Sequence, residues 1–212
     1  MVSSAVSHRP FVAGSSGWTA ADLDDPRIAG LWHEGNFELI EGVLTRMAAA
    51  YYEGNKRLRR LTTVVEKHLE SQGRGEQFVF EVDLELSNLR VPKADAVLLT
   101  PEDERRQHEA HQQRGQPEIE FGRILVPPTL LIESVSIGHE RHDEVLKRSW
   151  YAEAAIPNYW IFNPYAKSLT CLVLEGRSYR VDQTGKDEDQ LRPSLFAGLV
   201  ISLGPIWQTT LP

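Results

Sequence analysis

Glu133 interrupts a run of apolar residues: Leu130, Leu131 and Ile132 precede it. A carboxylate inside such a run is costly to bury unless it is paired or holds a cation. Asp95 stands 38 residues earlier, at the opening of a second apolar stretch from Ala94 to Thr100. If the two stretches are neighbouring strands, both carboxylates converge on one place. An Asp/Glu pair suits Mg²⁺, which takes one or two carboxylates and fills its octahedron with water and substrate phosphate. Spacing alone also allows, and on its own favours, a plainer reading of Asp95 as a turn cap and Glu133 as a sheet-edge residue. Asp143, Lys147 and Tyr151 follow at steps of four, so on a helix they share one face. They form a surface ion pair or, beside a metal, supply an ammonium that stabilises charge developing in phosphodiester hydrolysis. Lys56, Arg57, Arg59 and Arg60 are the densest basic group, and residues 51–74 hold six basic against three acidic side chains. As a group they read as a strip for backbone phosphates, and singly as a solvated helix face. His139 and His142 lack a third partner at a ligand spacing and read as loop residues. The chain has no glycine-rich phosphate loop and no Gly-x-Ser-x-Gly elbow.

The elements that must position these residues follow from periodicity. Apolar Leu58, Leu61, Val64, Val65 and Leu69 predict a helix with one buried face from Tyr52 to Ser71, ended by Gly73 and Gly75. Alternation from Phe78 to Leu86 predicts a half-buried strand. Ala94–Thr100 and Leu130–Ser136 are two more, the second continuous enough for a sheet interior. Asp143–Ala154 reads as a helix stopped by Pro157. Strands follow over Tyr159–Asn163, Ser168–Leu174, Ser178–Val181 and Leu199–Leu203. Nearer the start, Thr19 and Asp22 open a short helix from Ala20 toward Asp24, before Pro26, and Phe37 to Met47 folds as a hairpin around Gly42. Pro101–Gly122 carries six acidic and three basic residues with almost nothing apolar, and reads as a long mobile loop.

At 212 residues, 41% apolar and 25% charged, the chain has the balance of a globular protein. We expect a flexible lead over 1–17, one domain over 18–207 and a tail over 208–212. The formal charge of −7 opposes general DNA binding, so any nucleic-acid contact must be local. A lone cysteine, Cys171, excludes a disulfide scaffold and a thiolate zinc cluster. With no spanning apolar run and no signal-peptide core at Met1–Pro10, the expectation is a soluble, cytoplasmic protein with no membrane partner.

Together Phe37–Leu44, the Asp95 strand, Leu131–Ser136, the Asp143/Lys147/Tyr151 helix and Ile156–Pro164 resemble the Uma-two family of restriction-endonuclease-like proteins, from about Trp18 to Trp207. The resemblance implies a PD-(D/E)XK nuclease fold, an α/β architecture in which helices flank a mixed central sheet, here with an N-terminal β-hairpin and extra C-terminal strands. It maps the acidic pair to Asp95 and Glu133, with Mg²⁺ or Mn²⁺ as cofactor and DNA as partner. A homodimer is compatible with it. Three positions depart from the pattern: Ala94 replaces a proline, Val135 stands where a lysine is usual so that Lys147 must supply the ammonium, and Asn55 stands where a histidine often opens the first long helix. Asp143 would position Lys147, Glu38 and Glu81 are further acidic candidates, and Lys56, Arg57, Arg59 and Arg60 would contact phosphates. The rival reading is a catalytically weak or inactive nuclease-fold protein that binds nucleic acid or protein. Two bare carboxylates repel, so neutralising either should leave stability equal or slightly raised.

Overall fold

The computed structural model describes residues 9–47, 52–115, 122–135 and 142–208, with the backbone alone for 142–144. The chain forms two compact units: a smaller one from 1–49, 83–93 and 123–125, and a larger one from 50–82, 94–122 and 126–212.

In the smaller unit, Thr19 and Asp22 close a reciprocal capping box that opens a 3-10 turn at Ala20–Asp24. Helix α1 (Pro26–Gly35) follows directly. The short helix ends before Pro26, as expected, and Pro26 opens the next one. The first turn has no use for the missing N–H, and the Asp25 carboxylate caps Arg27 N at 2.9 Å. That carboxyl is lowered to about 2, chiefly by the Arg27 side-chain hydrogen bond. The expected hairpin is β1 (Phe37–Ile40) against β2 (Val43–Arg46), turning through Glu41 and Gly42, both at positive φ. A Cβ at Gly42 would lie 3.2 Å from the Trp18 carbonyl. Trp18, Trp32, Phe37 and Leu39 form the core. Residues 1–8 of the expected flexible lead lie outside the described residues. From residue 9 the lead is tied down: Gly14 N donates to Leu44 O, Leu44 N to Ser15 O, and Phe11 packs edge-on against Trp18 and Phe37.

The larger unit begins with α2 (Tyr52–Ser71), which buries Leu58, Leu61, Val65 and Leu69 as their spacing predicts. It ends at Gly73, in the left-handed conformation a helix terminus favours. The elements after it are β3 (Phe78–Asp83), β4 (Lys93–Leu98), α3 (Pro101–Gln113), β5 (Leu130–Ser134), α4 (His142–Glu153), β6 (Asn158–Asn163), β7 (Ser168–Glu175), β8 (Ser178–Lys186), β9 (Gln190–Leu191), β10 (Ile201–Ser202) and α5 (Gly204–Trp207). One six-stranded sheet runs β3-β4-β5-β6-β7-β8. Strand β5 pairs antiparallel with β4 and parallel with β6, while β6/β7 and β7/β8 are antiparallel. A parallel step needs a crossover, and α4 lies in the one between β5 and β6. The fold is therefore mixed α/β, a mixed sheet flanked by helices, as expected.

Two expectations change. Pro101–Gly122 is no loop over its first half. Thr100 and Asp103 form a capping box around Pro101, and α3 runs to Gln113; residues 116–121 lie outside the described residues. Strand β3 stops at Asp83 instead of Leu86, and within it Glu81 takes φ +51°, where the alternation breaks: Phe78 and Asp83, five apart, are both buried. Among the described residues no helix is long and apolar enough to cross a membrane.

Candidate functional site

The β4/β5 register pairs Ala96 with Ile132. One residue further along, Asp95 stands opposite Glu133, and directly opposed residues of an antiparallel pair leave the same face of the sheet. The Asp95 carboxylate also ties the two strands together by accepting the Ser134 amide at 2.6 Å. Both acidic residues are half-buried. The continuous apolar run Leu130–Ile132 is completely buried, so Glu133 sits where a core strand reaches its polar end.

The crossover helix α4 supplies two donors to a single Glu133 oxygen. The Lys147 ammonium lies 3.5 Å from Oε1, with both side chains largely shielded from solvent. The Tyr151 hydroxyl donates to the same Oε1. Tyr151 is itself buried, its ring edge-on to Tyr159 at 5.2 Å. Lys147 thus faces Glu133, on the side where Val135 cannot put a charge. The backbone of Asp143 belongs to α4, but its side chain lies outside the described residues; His139 lies outside them altogether.

Asp95 also lines a cleft of about 320 Å³ with Asn55, Leu58, Arg59, Phe80 and Glu81. Asn55 and Arg59 are one turn apart on α2, and the Arg59 guanidinium lies over the Phe80 ring, its carbon 3.4 Å from the ring centre. Glu81 is therefore beside Asp95, as its candidacy requires, and its backbone is left-handed there. Glu38 belongs to the smaller unit, is buried, and accepts the Lys93 amide at 2.9 Å.

The four basic residues do not form one strip. Arg57 donates to the Pro164 carbonyl at 2.7 Å, and Arg60 to those of Ile206 and Gln208. Lys56 pairs with Glu53 at 3.6 Å and lies over the Tyr52 ring. Of the four, Arg59 is the one that lines the cleft. Phe80 escaped the sequence reading because strict alternation assigned it to the core face; Glu81, the position at which alternation fails, was the available signal.

Among the described residues no three His, Cys, Asp or Glu side chains cluster as a metal cage. The donor set is a pair of opposed carboxylates, which fits a hard divalent cation that completes its shell with water and phosphate, and does not fit zinc held by several protein ligands.

Residues 30–204 match the Uma2 family, described as "Putative restriction endonuclease". The chain belongs to that family. A solved structure, a "putative nuclease belonging to DUF820" from Anabaena variabilis ATCC 29413, superposes with a TM-score of 0.60 at 14% identity, covering 82% of this chain and 90% of that one. That likeness establishes a shared fold. No curated protein matches the chain. The Uma2 match takes in Asp95, Glu133, Lys147, Tyr151 and the cleft residues alike.

Proposed function

We propose that this Uma2 protein is a metal-dependent endonuclease that hydrolyses DNA phosphodiester bonds. The observation that carries the reading is Glu133, opposite Asp95 in the middle of the sheet and bonded by Lys147 and Tyr151 from the crossover helix. Asp95 and Glu133 would hold Mg²⁺ or Mn²⁺. Such a cation, when bound, polarises the phosphoryl group and makes water a better nucleophile. The chain's own residues do the rest. The Lys147 ammonium is close enough to Glu133 to hold an attacking water against it and to offset charge that builds on the phosphate. Tyr151, fixed by its burial, keeps Glu133 Oε1 turned toward α4.

The test is cleavage of plasmid and single-stranded DNA with Mg²⁺ or Mn²⁺, beside Asp95→Ala. Metal-dependent nicking that the substitution abolishes is the expected result. No cleavage by the wild type under any of these conditions, with DNA still bound, would turn the reading into that of a binding module.

A further inference from the structure

The cleft beside Asp95 holds three polar side chains, Asn55, Arg59 and Glu81, that make no side-chain hydrogen bond or ion pair among the described residues. Such convergence in a concave site is unusual, because polar groups that could pair with one another generally do so. Arg59 and Glu81, of opposite charge, line the same cleft without an ion pair between them among the described residues. Their signs restrict what could fill it. A lone anion is attracted by Arg59 and repelled by Glu81 and Asp95, while a lone cation meets the reverse. A phosphate ester accompanied by a divalent cation satisfies both sets at once.

We infer that Arg59 and Asn55 form a subsite for one phosphate of the nucleic-acid backbone, with Phe80 as the platform that fixes the guanidinium. This rests on the nuclease reading and deepens it. Arg59 is exposed and its guanidinium is held over Phe80, so its planar set of N–H donors suits two phosphate oxygens. Asn55, one turn away, adds a neutral donor on the same helix face. The carbonyl bonds of Arg57 and Arg60 hold the β6–β7 connection and the chain after α5, which is a scaffolding task. Phosphate recognition by this helix therefore concentrates in Arg59, and lysine is a poor substitute there, since it offers neither the fork nor the flat stacking surface.

The experiment is fluorescence anisotropy with a labelled 20-base-pair DNA duplex in Ca²⁺, which takes the same kind of oxygen ligands as Mg²⁺, across a NaCl series. Wild type, Arg59→Ala, Arg59→Lys, Asn55→Ala and Phe80→Leu are compared with Arg177→Ala, which removes an equal charge from the exposed β7–β8 turn. Arg59 and Asn55 are exposed, so the variants at those two positions should keep the wild-type melting temperature. The expected result is about tenfold weaker binding for Arg59→Ala and a loss of about 0.9 in the slope of log K against log salt, the signature of one phosphate contact. Arg59→Lys should recover the slope but little of the affinity. Phe80→Leu should lose affinity with the slope intact. If Arg59→Ala matches Arg177→Ala while the wild type binds, the subsite is wrong and the nuclease reading stands. If the wild type neither binds at low salt nor cleaves, both fall.

Discussion

Glu133 receives the Tyr151 hydroxyl and the Lys147 ammonium on one oxygen, and that arrangement sets what a substitution does. Two bare carboxylates would gain stability from neutralisation, as the sequence alone suggests. Here Glu133 already has a shielded counter-charge, so Glu133→Gln removes a largely buried ion pair with Lys147, and we expect a loss of about 1–3 kcal/mol in urea unfolding. Asp95→Asn differs, because an amide oxygen can still accept the Ser134 amide, and its stability should stay near wild type. Both should end cleavage. A Glu133→Gln protein more stable than wild type would show that the Lys147 contact contributes nothing. Tyr151→Phe isolates orientation: it removes one hydroxyl from a fully packed ring, and kcat should fall at least several-fold with KM for DNA nearly constant. Equal loss in KM would point to a substrate contact instead. The acidic pair was legible because a carboxylate in an apolar run is conspicuous. Tyr151 was legible only as a helix neighbour, since a buried tyrosine reads as core until its hydroxyl's partner is known.

Helix α3 shows why element-level reading fails where a buried face is polar. Its inward positions are Asp103, Gln107 and His111, at steps of four, each at most 5% exposed. A search for apolar periodicity finds nothing there, and the charge-rich segment passes for a loop. The cap was nevertheless in plain sight as Thr100, Pro101 and Asp103. What holds α3 down is hydrogen bonding. Asp103 accepts both the amide and the hydroxyl of Thr129, and Gln107 clasps both backbone groups of Val126, donating to its carbonyl at 2.8 Å and accepting its amide at 3.2 Å. Gln107→Ala removes both partners at once and should cost about 2–3 kcal/mol. Denaturant unfolding measures the loss, and exchange at the Val126 amide should accelerate. A change under about 0.5 kcal/mol, the size usual at an undistinguished surface position, would mean water replaces the clasp without penalty. Strands β4 to β7 were readable because their cores are apolar, but neighbours in a sheet are not written in alternation. That β5 runs parallel to β6 was visible only in the crossover helix between them.

At the scale of the molecule, no shift in composition marks the two units. The smaller one draws on three separated stretches of chain, and short segments such as 123–125 are too brief to carry a periodicity of their own. The larger unit contains a built-in reporter. Cys171 lies in β7, paired with Trp160 of β6, is 1% exposed and belongs to the core against which α2 and the C-terminal strands pack. Burial, and to a smaller degree the negative charge of Asp182, pushes its thiol well above the ordinary cysteine range. The reacting species is the thiolate, so both exposure and ionisation oppose labelling in the native state. Ellman's reagent at pH 8 should therefore leave the native protein almost unmodified over the time in which an exposed thiol reacts completely. Because this is the only cysteine in the chain, a single labelling site is expected even in strong denaturant. As urea is raised, labelling should begin with the unfolding transition of the larger unit, since the thiol becomes reactive only when the sheet opens. Its rate at low urea, divided by the rate in the unfolded chain, then gives the opening free energy, provided reclosing is faster than the chemistry. Glu133→Gln should accelerate that labelling and Asp95→Asn should not, which ties the shielded ion pair on α4 to the integrity of the sheet it crosses. Rapid, complete modification of the wild type in buffer would contradict the packing of β6 and β7 and, with it, the scaffold on which Glu133 is mounted.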